Sequence, residues 1–337
     1  MAADTPLWRR LWLNVLTQEQ MPASTQPVDA ARFPWCGPTR TSEKADGMTT
    51  PEMVVRQQVY WGMPRRIELD FSDLSDGSCD LCGEQSDQLL QHYRTKNYGV
   101  QYDSWIHPLT PYRRDIKDPT APLLSVKGQP GGLLYKDWLG LIWQGQSEQN
   151  LELPASVVMQ AASFRPSRVE LGLNCFGYDM DNMKARCWYQ HQLPLPHIAA
   201  NHREEFLGYV RRAISAAKVG VSELRNAVKK AWHESPKDAR GDFSFIDIAF
   251  WQETEAAFVG LLNELQSAFD KEPKDLSPLS RWRDYLRREL LQRFDDLVFS
   301  NPEQQLDLHR EIAARKSLYE SLCKSMAFRD LALKEKN

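Results

Sequence analysis

Two cysteines spaced as in half of a zinc site carry the clearest chemical signal in the sequence. Cys79 and Cys82 enclose two residues, and Gly83 follows them. Two thiolates at this spacing in a tight turn can face one ion, and glycine permits the positive φ that the turn needs. A structural zinc ion requires four ligands, and no second C-x-x-C occurs in the chain. The pattern therefore predicts half of a metal site, with buried thiols at an ordinary turn as the alternative.

Histidines and the other cysteines offer few ways to complete that site. His92 and His107 lie nearest in sequence but lack the H-x3–5-H arrangement of zinc-binding histidines. A second set of candidate metal ligands consists of Cys187, His191, His197 and His202. These residues are loosely spaced and lie beside two prolines, which favours a plain loop over a metal site. The six cysteines form no regular framework, so the sequence predicts reduced thiols.

No arrangement of residues typical of catalysis is found in the sequence. It contains neither G-x-S-x-G nor H-E-x-x-H, and no cysteine is flanked by a recognisable base. The glycine-rich turn at 128–132 lacks the residue order of a phosphate-binding loop. Asp179 and Asp181 could form a metal-binding pair, but without a third carboxylate nearby they favour a polar loop. The residue patterns alone therefore indicate no catalytic site.

Basic residues occur in two patterns that suit contact with a nucleic-acid backbone. Arg94, Lys96 and Tyr98 alternate, so on an extended hairpin they would point the same way, toward a phosphate backbone, a groove or simply solvent. A second group is spaced by seven or four residues and would lie on one face of a helix: Arg211, Lys218, Arg225 and Lys229. Such a row is usually exposed to solvent, but it can also follow the backbone of a nucleic acid. The formal net charge of −3 means that any basic surface must be local.

The elements that would position these residues change character near the prolines at 194–196. Before them, stretches such as 67–71 alternate apolar and charged residues as half-buried strands do, and long loops connect them. Beyond them, apolar residues recur at helical spacing over four segments, the second of which is Ile246–Leu265. We expect an α+β protein, with a mixed α/β part of short strands at 1–195 and an antiparallel four-helix bundle at 196–337.

The sequence shows no sign of a membrane segment or a secretion signal. No apolar run approaches the ~20 residues that a membrane span needs. The first ten residues lack the basic region and apolar core of a signal peptide. These observations predict a cytoplasmic protein.

Five motifs occur in a characteristic order along the chain. They are Leu7–Leu16 (LWRRLWLNVL), Val59–Leu69 (VYWGMPRRIEL), Cys79–Gly83 (CDLCG), Trp105–Pro111 (WIHPLTP) and Gly177–Asn182 (GYDMDN). Each motif alone is unspecific. In this combination, and followed by the helical segments, they resemble the CasA-type large subunit of the type I-E CRISPR surveillance complex, Cascade, over nearly the whole sequence.

The resemblance implies a non-catalytic subunit that recognises DNA. In that family, guide RNA held by other subunits reads the target by base pairing. The large subunit reads the PAM, the short duplex motif beside the target, largely from the minor groove, and helps to open the strands. It also helps to recruit the helicase-nuclease that cuts. The implied partners are the other Cascade proteins with their guide RNA, a double-stranded target with its PAM, and the helicase-nuclease.

Carried over residue by residue, the resemblance places the lysine finger of the family on Lys96. It places the wedge that splits the first base pairs on the loop of Asp179, Asp181 and Asn182. This loop departs from the Asn-Gln pair of one family member, and phosphate repels an aspartate, so Asn182 is the better wedge residue. The bundle contacts the DNA strands in the family, which makes the basic row on its first helix the expected contact there.

The resemblance also accounts for the half metal site. Family members carry an upstream domain that holds a glycine-rich PAM loop and a second C-x-x-C, which completes a four-cysteine zinc site. The sequence lacks a segment matching that domain, so we expect the C-terminal portion of a large subunit, in which Cys79 and Cys82 are two of the zinc ligands. The alternatives are a stand-alone zinc-dependent protein that binds or processes nucleic acid, and a scaffold that never touches DNA.

Overall fold

The computed structural model describes residues 11–17, 19, 32–36, 42–43, 47–55, 57–58, 61–63, 65–96, 99–127, 131–146, 150–164, 171–181, 184–235, 241–271, 274–300 and 307–331, with the backbone alone at 162–164 and 181. The chain divides into two compact units. Unit 1 comprises Met1–Val15, Pro111–Pro119 and Leu124–Asn337, and unit 2 comprises Leu16–Thr110 and Thr120–Leu123. The domain limits of 1–195 and 196–337 stay a prediction.

Unit 2 contains two short antiparallel ribbons. Strand β1 (Arg66–Leu69) pairs with β4 (Tyr93–Lys96), and β2 (Leu74–Ser78) pairs with β3 (Gln85–Leu90). The strand predicted from the alternation at 67–71 is thus confirmed at 66–69. Its apolar side chains are not half-buried as expected, since Ile67 is 59% exposed. A two-stranded ribbon has too little surface to bury one of its own faces.

Unit 1 contains a four-stranded antiparallel sheet and a long hairpin. The sheet has the order β6-β5-β8-β7 and is formed by β5 (Tyr112–Asp115), β6 (Leu124–Ser125), β7 (Gly145–Gln146) and β8 (Asn150–Leu153). The hairpin consists of β9 (Leu171–Asp181) and β10 (Lys184–Leu195). The polar loop predicted around Asp179 is wrong, because these residues continue β9. Exposed residues alternate there with less exposed residues, which is the two-residue period of a strand.

The helices belong to unit 1. Their bounds are α1 (Trp138–Leu141), α2 (Ser156–Phe164), α3 (Arg203–Trp232), α4 (Ser244–Glu253), α5 (Glu255–Phe269), α6 (Ser277–Val298), α7 (Leu308–Lys324) and α8 (Met326–Arg329). Helix α3 packs against α4, α5, α6 and α7. Its apolar stripe is buried throughout: Phe206, Val210, Ala213, Ala217, Leu224, Val228 and Ala231. Short strands followed by these helices confirm the α+β class.

The second helical segment is interrupted at Thr254. The sequence predicted one helix over Ile246–Leu265, whereas α4 ends at Glu253 and α5 begins at Glu255. The Thr254 hydroxyl is buried, donates to the carbonyl of Phe250 at 2.6 Å and lies 2.9 Å from the hydroxyl of Tyr135. A threonine that bonds back to the preceding turn bends helices. The hydrogen bond to Tyr135, which is distant in sequence, could not be read from the apolar pattern.

Candidate nucleic-acid interface

The two cysteines of the C-x-x-C motif lie in the turn between β2 and β3. The backbone N–H of Cys79 donates to the carbonyl of Glu84, and that of Gly83 donates to the carbonyl of Cys79, both at 2.8 Å. Gly83 has a φ of 75°, the left-handed conformation for which the sequence predicted glycine. These two hydrogen bonds close the turn, in the form that brings the side chains of Cys79 and Cys82, which have two residues between them, toward one point.

The thiols of this turn are suited to metal binding but supply only two ligands. The pKa of Cys79 is lowered, because the backbone N–H groups of Cys82 and Leu81 donate to its sulfur and the Cys82 thiol adds a further bond. A lower thiol pKa favours the thiolate, which is the form that binds metal. Among the described residues, no group of three or more histidine, cysteine or acidic side chains is placed to hold an ion. The donors present thus fit half of a zinc site.

The histidines considered as further ligands have other neighbours. His92 Nδ1 lies 2.7 Å from the carboxylate of Asp73, and His107 Nδ1 accepts the backbone N–H of Leu109 at 3.2 Å. In the second set, His191 Nε2 lies 2.5 Å from a carboxylate oxygen of Glu255. The plain loop predicted for that set is wrong for Cys187 and His191, because both residues belong to strand β10.

Lys96 is the last residue of β4 in unit 2. It stands opposite Arg66 of β1, and its ammonium lies 3.2 Å from the carboxylate of Glu43. The side chains of Lys96 and Glu43 are 59% and 45% exposed. An ion pair between exposed groups contributes at most about 1 kcal/mol. The ammonium can therefore exchange Glu43 for another acceptor at little cost. Tyr98, which the alternating pattern also included, lies outside the described residues.

The expected wedge residues fall at the end of hairpin β9–β10. Asp179 is 2% exposed, and one of its oxygens accepts a hydrogen bond of 2.8 Å from Arg186. It therefore joins the two strands and does not face solvent. Strand β9 ends at Asp181, which pairs with Lys184 at the start of β10. The connection is thus two residues long, and Asn182 lies in it, outside the described residues together with the side chain of Asp181.

The outer face of the same hairpin carries aromatic side chains that the sequence analysis did not single out. Phe176, Tyr178 and Trp188 are 67%, 62% and 51% exposed. The ring of Trp188 lies 4.9 Å from that of Tyr178 and 6.0 Å from that of Phe176. The spacing of Phe176 and Tyr178, two residues apart, could have indicated this face once the region was recognised as a strand.

The basic row on α3 divides into two halves. Arg225 forms an ion pair with Asp247 of α4, and the ammonium of Lys229 lies 4.7 Å from the ring centre of Phe243. Both side chains are thus engaged by the segment that follows α3. Arg211 and Lys218, in the other half, are exposed. The sequence pattern placed all four on one helical face but could not show which of them meet neighbouring elements.

The charge of Lys218 acts on two carboxyl groups of unit 1, those of Asp137 and Glu152. Burial raises the pKa of Asp137 and of Glu152 above their usual values, and the charge of Lys218 opposes this rise at both residues. Lys218 therefore compensates two desolvated acids of unit 1. Arg211 is the other exposed member of the row.

A sequence model of the family described as CRISPR-associated protein Cse1 matches residues 2–293. No curated protein sequence matches the chain. Among the described residues, no helix combines the length and apolar composition needed to cross a bilayer.

Solved structures resemble the fold over most of the chain. CRISPR-associated protein Cse1 from Acidimicrobium ferrooxidans has a TM-score of 0.55 and 15% identity, and the match covers 96% of this chain and 62% of that chain. Thermobifida fusca Cse1 has a TM-score of 0.54 and 14% identity, with 97% and 62% covered. CasA from Thermus thermophilus has a TM-score of 0.50 and 15% identity, with 94% and 63% covered. The match thus spans less than two thirds of the length of each of these relatives.

Proposed function

Because the chain belongs to the family of CRISPR-associated protein Cse1, we propose that it is a non-catalytic subunit that recognises DNA within an RNA-guided CRISPR antiviral complex of the Cascade type. The family match over residues 2–293 is the observation that carries this proposal. The proposed partners are the other protein subunits with their guide RNA, a double-stranded target with its PAM, and the helicase-nuclease that is recruited to it. The proposed location is the cytoplasm.

Lys96 is the proposed reader of the PAM. The minor groove presents mainly acceptor atoms, A N3 and T O2, at each A·T pair. A lysine at the end of a two-stranded ribbon can reach such acceptors while its charge is attracted to the phosphates on either side. The exposure of Lys96 and its weak pairing with Glu43 support this role.

Hairpin β9–β10 is the proposed wedge for strand separation. Its strands of 11 and 12 residues would extend about 36 Å at 3.3 Å per residue. The bond between Asp179 and Arg186 fixes the two strands to each other close to the end. A stiff hairpin with a two-residue connection is suited to enter a base-pair step, and Asn182 is the proposed residue at its end. Asp179 serves as a positioning residue within the hairpin.

Cys79 and Cys82 are proposed to bind zinc as two of its four ligands, the other two being the cysteines that the resemblance places in an upstream domain. A bound zinc ion would supply structural stabilisation to the turn between β2 and β3. The lowered pKa of Cys79 and the closed turn support this proposal, since both favour a thiolate pair that is preformed.

The test of the proposed function is the binding of a labelled PAM-bearing duplex to the guide-RNA complex, assembled with and without this chain. We expect the chain to tighten binding of the duplex with the correct PAM, with a preference of about tenfold over a duplex with a scrambled PAM. Equal binding with and without the chain, at salt concentrations that permit assembly, would contradict the proposal.

A further inference from the structure

One face of strand β10 becomes steadily less buried toward the connection of hairpin β9–β10. Alternate residues of a strand share a face. On this face Leu195 and Leu193 are buried, His191 and Tyr189 are half-buried, and Cys187 is exposed. The hairpin is therefore held at its base by the core of unit 1, and the contacts at the two half-buried positions are the last ones before its exposed end.

The contact at Tyr189 is made with a glycine turn and does not depend on a charged group. The hydroxyl of Tyr189 accepts the backbone N–H of Gly131 at 2.9 Å. A Cβ at Gly132 would lie 2.9 Å from Cδ1 of Tyr189, and a Cβ at Gly131 would lie 2.7 Å from Cγ1 of Ile248 on α4. The turn thus fits closely between β10 and α4.

The contact at His191 is ionic. Its Nε2 lies 2.5 Å from Oε1 of Glu255, the first residue of α5. The two side chains are 19% and 22% exposed, and the two contacting atoms are shielded from solvent. Neither atom has an aligned hydrogen-bond partner among the described residues, so the contact depends mainly on charge. Salt screens such a partly buried pair less than it screens a surface pair.

The other titratable groups of this region leave Glu255 as the main partner of a charged His191. Burial raises the pKa of Cys175, which stands opposite His191 on β9, to about 11, so this thiol is neutral near pH 7. Burial also raises the pKa of Asp137, and the charge of Lys136 opposes that rise more than the charge of His191 does. Two further groups act on these acids: Lys218 of α3 on Asp137, and Tyr135 beside Glu255.

We propose that His191 is a positioning residue, which holds hairpin β9–β10 against α5 through Glu255 when its ring is protonated and loosens the hairpin when the ring is neutral. Histidine side chains change charge between about pH 5 and pH 8. The carboxylate stabilises the charged ring, so the held position is favoured at the lower pH and weakens as the pH rises.

The consequence for DNA rests on the proposed function, in which this hairpin is the wedge. A hairpin held against α5 presents its end in a fixed direction, whereas a loosened hairpin loses part of the free energy available for separating base pairs to its own motion. Strand separation should therefore be more efficient near pH 6 than near pH 8. The contact of Tyr189 with the glycine turn persists at both pH values and keeps the hairpin folded onto unit 1.

The first experiment measures amide hydrogen exchange of the segment 171–195 in the purified chain by mass spectrometry, at pH 6 and pH 8. Each variant is compared with wild type at the same pH, so that intrinsic exchange rates cancel. His191→Gln should exchange about fivefold faster than wild type at pH 6 and at nearly the wild-type rate at pH 8. Glu255→Gln should behave in the same way, because it removes the partner of the charged ring.

Two further variants separate the charge from the side chain. His191→Lys carries a charge at both pH values, so its exchange should depend on pH less than that of wild type. His309→Gln is the matched control, because His309 is an exposed histidine on α7 of the same unit, and it should leave the exchange of the hairpin unchanged.

The proposal is overturned if His191→Gln accelerates exchange by the same factor at pH 6 and pH 8, since a side chain with a merely structural role does not respond to pH. It is also overturned if His309→Gln produces the same pH-dependent change, because the effect would then be general.

The second experiment follows strand opening by the assembled guide-RNA complex, with 2-aminopurine in the target duplex next to the PAM. His191→Gln should reduce opening at pH 6 and leave it near wild type at pH 8, while PAM-dependent binding of the duplex is retained. Equal opening by wild type and His191→Gln at pH 6 would overturn the positioning role. Loss of PAM-dependent binding in the wild-type complex would instead contradict the proposed function and leave the exchange result standing.

Discussion

A carboxylate oxygen of Asp179 accepts a 2.8 Å hydrogen bond from the guanidinium of Arg186, across the two strands of hairpin β9–β10. Arg186 stands where the register between the strands shifts, between Ala185 and Cys187. A bulge increases the local twist and would otherwise loosen the pairing. The ion pair therefore stabilises the hairpin at the point where its ladder is irregular, a few residues before Asn182.

Substitution Asp179→Asn should destabilise unit 1. The amide removes the charge that faces Arg186 from a site where the carboxylate is 2% exposed. We expect the free energy of unfolding to fall by about 1–2 kcal/mol, less than for a fully buried pair because Arg186 is half-exposed. Urea denaturation followed by circular dichroism measures the change. Asp87→Asn, on an exposed position of β3, is the control, and an equal effect of both substitutions would contradict the structural role.

Substitution Gly220→Ala should destabilise the packing of α3 against α6. A Cβ at this position would lie 2.5 Å from Cδ1 of Leu290 and 3.3 Å from Cζ of Phe328. Overpacking of this kind typically costs about 1–3 kcal/mol. Gly208→Ala on the same helix meets nothing within 4 Å and should instead stabilise by up to about 1 kcal/mol through helix propensity. Denaturation midpoints that shift in the same direction for both variants would refute the close approach.

Stability should decline at high pH through Cys175. Burial raises the pKa of this thiol to about 11, so the folded state favours the neutral form. Below pH 9 the thiol is neutral in both the folded and the unfolded chain, so its full contribution to the free energy of unfolding is present. Between about pH 9 and pH 11 the unfolded chain ionises first, and the free energy of unfolding falls by about 2 kcal/mol. Other groups titrate in this range, so the measurement is the difference between wild type and Cys175→Ala. Parallel pH profiles would contradict the prediction.

The chain alone should bind a zinc-like divalent metal through two thiolates, more weakly than a site with four cysteines would. Addition of Co²⁺ to the reduced protein is expected to give a sulfur-to-metal charge-transfer band, which Cys79→Ser and Cys82→Ser each weaken. The control is Cys36→Ser, because Cys36 is an exposed thiol outside the C-x-x-C turn. A band that persists in the Cys79→Ser and Cys82→Ser variants would place the metal elsewhere. Absence of any band in the wild type would remove the half-site.

Local patterns in the sequence predicted the structure correctly where that structure depends on a single element. The buried stripe of α3 follows from helical periodicity alone, and the turn at Gly83 follows from its position after the second cysteine. The alternation at 171–181 was also present in the sequence. Polar residues near Asp179 nevertheless favour a loop by their type, whereas the burial of this aspartate depends on a partner in the next strand.

Contacts between distant residues account for what the sequence did not predict. Arg225 belongs to the predicted basic row, but Asp247 of α4 engages it. The break at Thr254 depends on Tyr135, which is 119 residues away in the chain. The contact between His191 and Glu255 likewise joins strand β10 to helix α5. Each of these relationships is set by tertiary packing, on which periodicity carries no information.

The most direct test of the central claim is the affinity of the assembled guide-RNA complex for a PAM-bearing duplex when Lys96 is replaced by alanine. The account predicts about tenfold weaker binding and a reduced preference for the correct PAM over a scrambled one. Lys324→Ala is the matched control, because Lys324 is 72% exposed and lies 3.0 Å from a glutamate, and it should change binding by less than about twofold. Wild-type affinity and PAM preference in the Lys96→Ala complex would contradict the account.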